Sequence, residues 1–297
     1  MHQSFGLPRF RTLKVVCSVL LLLAKGLAAA PTQTMSQQFA GTRAIVQAGN
    51  ESSKSVIGYF HDSEPNFLLL LPPYPALDTQ QDRIDVAAFR QMQVSGRSLR
   101  WSLAEADNQM TYARFSGALG VNLDSAKLPI VVHLLNRMER DVLDTAFDAK
   151  QHFNRPRPFQ RFAVAHVCGA DMPPLPETNP QGGFSASSYP SGHSAFGWGL
   201  ALTLAEIAPS RAQAILSRGR EYGESRVVCA VHFPSDVAAG AIVATAVVER
   251  LHTVPEFTRD LTCAQEEYRA AVQPSLQMSP ECRTMRKSLG NSEQGEE

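Results

Sequence analysis

Apolar residues recur at three- and four-residue steps through 125–152, where Leu128, Val131, Leu135, Met138 and Val142 alternate with Arg137, Glu139, Arg140 and Asp141. This period predicts a long amphipathic helix with Lys150 near its C-terminal end. Residues 193–207 and 236–251 are apolar almost all round, which predicts two helices buried at the centre of a bundle. Between them, 209–222 carries Ala212, Ile215, Leu216 and Gly219 on one face, and Gly223 is the expected stop. Residues 80–96 and 99–118 read as helices, the first capped by Asp78 or Thr79. Pro255 opens a last one to about Val272. No run of alternating residues marks a strand and no repeat is present. The pattern predicts an all-α, single-domain helical bundle.

Prolines punctuate it. L-L-L-L-P-P-Y-P at 68–75 is an apolar anchor ended by prolines, and N-R-P-R-P-F at 154–159 ends the long helix. A Pro-, Gly- and Asn-rich stretch at 172–183 reads as a functional loop or lid. At the N-terminus, Arg9, Arg11 and Lys14 precede an apolar run at 15–24, and Ala28, Ala29 and Ala30 follow, the layout of a secretory signal cleaved near Ala28–Ala30. The run is short for a bilayer span, and no later apolar stretch reaches about 18 uninterrupted residues, so no stable membrane insertion is expected. The predicted organisation is a signal at 1–30, an extension without assigned structure at 31–66, a catalytic domain at 67–275 and a disordered polar tail at 276–297. The mature protein is expected to be periplasmic or secreted.

Charge narrows the partners. Lys plus Arg and Asp plus Glu number 28 each, which gives no overall attraction for nucleic acid or an anionic membrane. Positive charge that matters must be local. Of five cysteines, Cys17 leaves with the signal. Cys168, Cys229, Cys263 and Cys282 permit two disulfides in any of three connectivities, and their spacing matches no zinc pattern.

Three clusters carry the candidate chemistry. In Y-P-S-G-H, Pro190 and Gly192 make a turn from which a helix starts at His193, so unpaired N–H groups and the Ser191 hydroxyl converge on one point. In E-S-R-V-V-C-A-V-H-F-P-S-D, Arg226 is followed by His232, and Asp236 lies one turn beyond, where a carboxylate can hold one ring nitrogen and leave the other as a nucleophile or base. Lys150 and Arg157 flank a helix end, the arginine held stiffly between prolines as bidentate phosphate contact requires. Each cluster alone has a plainer reading as a helix cap or a dipole partner. Together they form an inventory for phosphoryl transfer without a metal. His61, His133, His152, His166 and His252 lack patterned partners, and Trp101 and Trp198 read as core.

The motifs K-x6-R-P (150–158), P-S-G-H (190–193) and S-R-x5-H-x3-D (225–236) resemble the three-part signature of the type 2 phosphatidic acid phosphatase (PAP2) superfamily. From about Leu70 to Val272 the chain is most similar to the secreted bacterial class A non-specific acid phosphatases. The resemblance implies a bundle of the PAP2 and vanadium haloperoxidase type and hydrolysis of small-molecule phosphomonoesters, with possible phosphotransferase activity, no cofactor and a homo-oligomeric state. It also implies roles. His232 attacks phosphorus to give a phosphohistidine, Asp236 fixes its tautomer, and His193 is the acid and then the base. Lys150, Arg157, Ser191, Gly192 and Arg226 hold the phosphate. Departures are Ser187 for a usual Gly, Ser194 for Thr, and Ala230 and Val231 for a commoner Gly-aromatic pair. A vanadium-dependent haloperoxidase shares the constellation but tends to be much longer, and a membrane lipid phosphatase needs spanning helices. A non-enzymatic exported phosphate-binding protein would need the cations but not His232 with Asp236.

Overall fold

A computed structural model of the chain describes residues 56–60, 67–168 and 187–292. The chain divides into two units, Met1–Ser53 and Lys54–Glu297, and all the described residues belong to the second. The expected signal, most of the 31–66 extension and the expected loop at 172–183 lie outside the described residues.

The elements in order are α1 (Gln80–Gln91), α2 (Leu99–Ala106), α3 (Ser116–Leu119), α4 (Pro129–Phe153), α5 (Pro158–Arg161), α6 (Gly192–Ile207), α7 (Ala212–Val228), α8 (Pro234–Leu251), α9 (Pro255–Val272) and α10 (Pro280–Ser292). Short 3-10 turns occupy Phe67–Leu70, Tyr112–Phe115 and Pro209–Arg211. Among the described residues there is no strand, so the fold is all-α as the apolar period required. No single described helix is long and apolar enough to cross a membrane.

The all-round apolar helix α6 is the hub. Phe196, Leu200, Ala201 and Leu204 are buried between α7 and α8, with α4 across a further face. The long helix α4 begins at Pro129, where no residue of its own caps the first turn. Glu267 of α9 does so instead, accepting from Ile130 N–H at 2.9 Å and Val131 N–H at 3.0 Å. At the far end Asn154 takes the left-handed conformation (φ 46°) that the sequence before Pro156 calls for, which leaves Lys150 in the last turn.

Four expectations change. The helix expected over 99–118 breaks after Ala106, where Asp107 is fully buried as the acceptor for Arg114, Arg218 and the Ser225 hydroxyl. Gly223 does not stop α7. A Cβ there would press on Val237 and Ser194, so this glycine serves the close packing of α7 on α6 and α8, and the helix runs on to Val228. The tail expected to be disordered forms α10, tied by a Cys263–Cys282 disulfide to α9. Within the unassigned extension, Tyr59 is buried, its N–H on Asp141 at 2.8 Å and its hydroxyl on Asp260 at 2.9 Å. The cysteines pair Cys168–Cys229 and Cys263–Cys282, one of the three open connectivities. By loop-closure entropy the longer loop is worth about 4 kcal/mol and the shorter about 3 kcal/mol.

The N-terminus of α6 meets the first turns of α8 at Gly240, where a Cβ would collide with the Ser191 carbonyl oxygen. Gly240→Ala is therefore expected to destabilise the fold by about 1–3 kcal/mol, read from a urea unfolding midpoint, and to weaken binding of inorganic phosphate by displacing Ser191.

Candidate active site

His232 sits in the turn between α7 and α8, 2 % exposed. The turn is held by Ala230, a non-glycine residue at φ 58°, and by the disulfide from Cys229 to Cys168. Ala230 stands where the resembled family commonly has glycine, and the left-handed backbone here explains that preference; the alanine carries a strain of about 1–2 kcal/mol.

Donor counting fixes the state of the imidazole. Arg157 Nη1 lies 3.3 Å from His232 Nε2, and a guanidinium can only donate, so Nε2 is the acceptor and the ring proton is on Nδ1. On that side Ser188 Oγ lies 3.3 Å from Nδ1 and 2.5 Å from Asp236 Oδ2, while Asp236 Oδ2 itself is 3.5 Å from Nδ1. The Ser188 hydroxyl therefore donates to the carboxylate and accepts from the ring. Burial, and after it Arg157, Lys150 and Arg226, push the His232 imidazolium well below the ordinary histidine range, so the ring is neutral with its lone pair on Nε2.

Three cations surround that lone pair. Lys150 Nζ donates to Ser187 O at 2.9 Å, Arg157 Nη1 to Val231 O at 2.9 Å, and Arg226 Nη2 to Asn108 Oδ1 at 2.9 Å. All these acceptors are neutral, and Arg226 Nε has no acceptor among the described residues. Burial, reinforced by Arg157, drives the Lys150 ammonium well below its usual range; burial brings Arg157 and Arg226 down to about 10. Cations this buried and this mutually repelling need an anion. Among the described residues no three His, Cys, Asp or Glu side chains gather to hold a metal ion, and the donors here suit an oxyanion.

The cap of α6 completes the ring. Ser191 Oγ accepts from Ser194 N–H at 3.2 Å, which leaves its own proton to donate, and the N–H groups of Gly192 and His193 are the unpaired ones of the first turn. Lys150 lies against Gly192. His193 Nε2 donates to Asn108 O at 3.0 Å, so Nδ1 is the nitrogen left for chemistry. Burial, then Arg226, keep His193 well below its ordinary range, with His232 and Arg157 adding to the effect.

The structure thus gathers all eight residues that the sequence singled out: Lys150, Arg157, Ser191, Gly192, His193, Arg226, His232 and Asp236. Sequence reasoning missed Ser188, Asn108 and Arg155. Arg155 is fully buried and donates to Asp236 Oδ1 at 2.5 Å and Asp85 Oδ2 at 2.8 Å. The signal available was the R-P-R-P context, where the first arginine is as rigidly placed as the second. Asn108 carried none, since its function comes from the break after α2.

Residues 133–259 match the model of the PAP2 superfamily. The chain is 36% identical over 235 residues to an acid phosphatase of Zymomonas mobilis, covering 78% of this chain and 85% of that one. It is 34% identical to a non-specific acid phosphatase of Providencia stuartii (76% and 90%) and 33% identical to one of Salmonella typhimurium (73% and 86%). The chain belongs to the PAP2 superfamily, among its acid phosphatases.

Burial holds the proton affinities of His193, His232 and Lys150 down and the neighbouring cations add to this; the negative charge of an entering phosphate opposes both, so their proton affinities rise on binding. Inorganic phosphate is expected to bind with net proton uptake on the acid side of neutrality. Calorimetric heats in two buffers of different ionisation enthalpy check this; heats independent of buffer would contradict it.

Proposed function

We propose that the protein hydrolyses small phosphomonoesters through a phosphohistidine on His232. The observation that carries this reading is the neutral imidazole whose Nε2 lone pair faces Arg157 inside a ring of buried cations. In the first step Nε2 forms a bond to phosphorus as the ester P–O bond breaks. The leaving oxygen takes a proton from His193, whose imidazolium is restored by the charge of the bound substrate. In the second, His193 accepts a proton from water, whose oxygen attacks phosphorus and frees His232. An alcohol in place of that water would give phosphotransfer. Lys150, Arg157, Arg226, the Ser191 hydroxyl and the Gly192 and His193 N–H groups hold the three remaining oxygens through both steps. Asp236, with Ser188, keeps the proton on Nδ1 and offsets the positive charge that His232 acquires.

The names of the relatives support the acid phosphatase reading. Export to the periplasm or medium is part of the proposal, supported by the signal-like 9–30 segment and by two disulfides that an oxidising compartment favours. Within the described unit, residues 67–275 are proposed as the catalytic domain.

The test is p-nitrophenyl phosphate hydrolysis from about pH 4 to about pH 9 in excess chelator, with wild type beside His232→Ala. A bell-shaped, acid-side profile is expected, with activity falling by roughly three orders of magnitude or more in the variant, and a radiolabelled phosphoryl group trapped on His232 alone. A rate rising steadily through the alkaline range would overturn these roles.

A further inference from the structure

Arg155 is the largest fully buried side chain of the described residues. Its guanidinium lies 4.2 Å from the Phe233 ring centroid and 5.2 Å from that of Tyr74, which hold its plane. One arm, Nη1, donates to Asp236 Oδ1 at 2.5 Å and to Ser235 Oγ at 2.7 Å. The other, Nη2, donates to Asp85 Oδ2 at 2.8 Å. Asp85 closes the circuit: its carboxylate accepts from the Ser235 backbone N–H at 3.0 Å and from the Ser235 hydroxyl at 2.5 Å. A carboxylate from α1, distant in sequence, is thus clamped onto the first turn of the helix that carries Asp236.

We propose that Asp85 is a positioning residue of this active site, setting through Arg155 and Ser235 both the orientation of Asp236 and the share of its charge that reaches His232. The inference rests on the phosphohistidine reading and adds to it. Asp236 serves two cations in turn, Arg155 permanently and the His232 imidazolium when the phosphoryl group arrives. With Asp85 drawing on the opposite arm of the guanidinium, Arg155 presses less positive charge on Asp236, and the carboxylate keeps its strength for His232. Without Asp85 the remaining carboxylate on that arm is Asp82, with Oδ1 at 4.0 Å, and more of the charge of Arg155 falls on Asp236. The phosphate contacts are untouched in either case, so the effect belongs to the chemical step. The charged groups facing His232 itself are Asp236 from α8, Arg157, Lys150 of α4 and Arg226 of α7, with His193 of α6 opposite. Asp85 acts on it through Arg155 and Ser235.

The experiment measures kcat, KM and the pH profile of kcat with p-nitrophenyl phosphate for wild type, Asp85→Asn, Asp85→Glu, Ser235→Ala and His232→Ala, each also followed by thermal unfolding. Asp85→Asn is expected to lower kcat about tenfold or more with KM within about twofold. It should also move the acid limb of the profile to lower pH, because losing a negative charge disfavours the His232 imidazolium. Asp85→Glu should recover part of the rate. Ser235→Ala, which removes only a hydroxyl, should shift both quantities in the same directions by less, and it carries the test alone if Asp85→Asn does not fold. Wild-type kcat in these variants, or a loss of kcat with an unmoved acid limb, would overturn the proposal and leave Asp85 a structural role. Activity that survives His232→Ala would instead overturn the phosphohistidine reading, a separate outcome.

Discussion

The carboxylate of Asp236 is fully buried, and a buried charge is tolerated only when every acceptor site on it is used. Four groups converge for that purpose: Arg155, the Ser188 hydroxyl, the Phe233 backbone N–H at 2.7 Å, and the imidazole of His232. Each comes from a different requirement of the chain. Phe233 is the residue before the proline that starts α8, so its N–H is one that the helix leaves without a partner. Ser188 belongs to the segment that enters α6, and its N–H is anchored on Arg155 O at 2.7 Å. Satisfying one carboxylate therefore aligns the α6 cap, the α8 start and the Arg-Pro segment after α4, which are the three places where the pocket is made.

A second constraint acts in the opposite sense. Lys150, Arg157 and Arg226 are desolvated side by side on neutral acceptors, an arrangement that a fold selected for stability alone would avoid. The helices that hold them are braced accordingly: α6 sits between α7 and α8, α9 caps the start of α4 through Glu267, and a disulfide ties the turn that carries His232 to Cys168. Rigid bracing and gathered positive charge are two sides of one design, because a pre-set cationic ring need not reorganise as charge moves on a phosphoryl group. The proposed chemistry at His232 draws on that ring.

Much of this was legible in the chain. The alternating three- and four-residue steps through Leu128, Val131, Leu135, Met138 and Val142 could only be a helix, and the three motif clusters had to meet for any of their groups to do more than cap one. Misreadings came where a tertiary contact outweighed a local signal. Gly223 has the form of a helix stop, yet its lack of a side chain serves the contact with Val237 and Ser194. The stretch after Ala106 has helical composition, yet Asp107 is drawn inward by the nearby Arg114 and by Arg218 and Ser225 far along the chain. The polar tail has too few apolar residues to suggest order, and α10 is held to α9 by a covalent bond that composition does not reveal.

Sequence alone determined which chemical groups the protein owns and which helices present them, because both depend on residue type and on spacing within a few turns. Tertiary structure alone decided the tautomer of His232, the pairing of the four cysteines and the inclusion of Ser188, Asn108 and Arg155. Those outcomes depend on which donors face which acceptors across segments dozens of residues apart. A hydrogen bond is decided by tenths of an ångström and by the direction of a lone pair, quantities that exist only once the helices have packed.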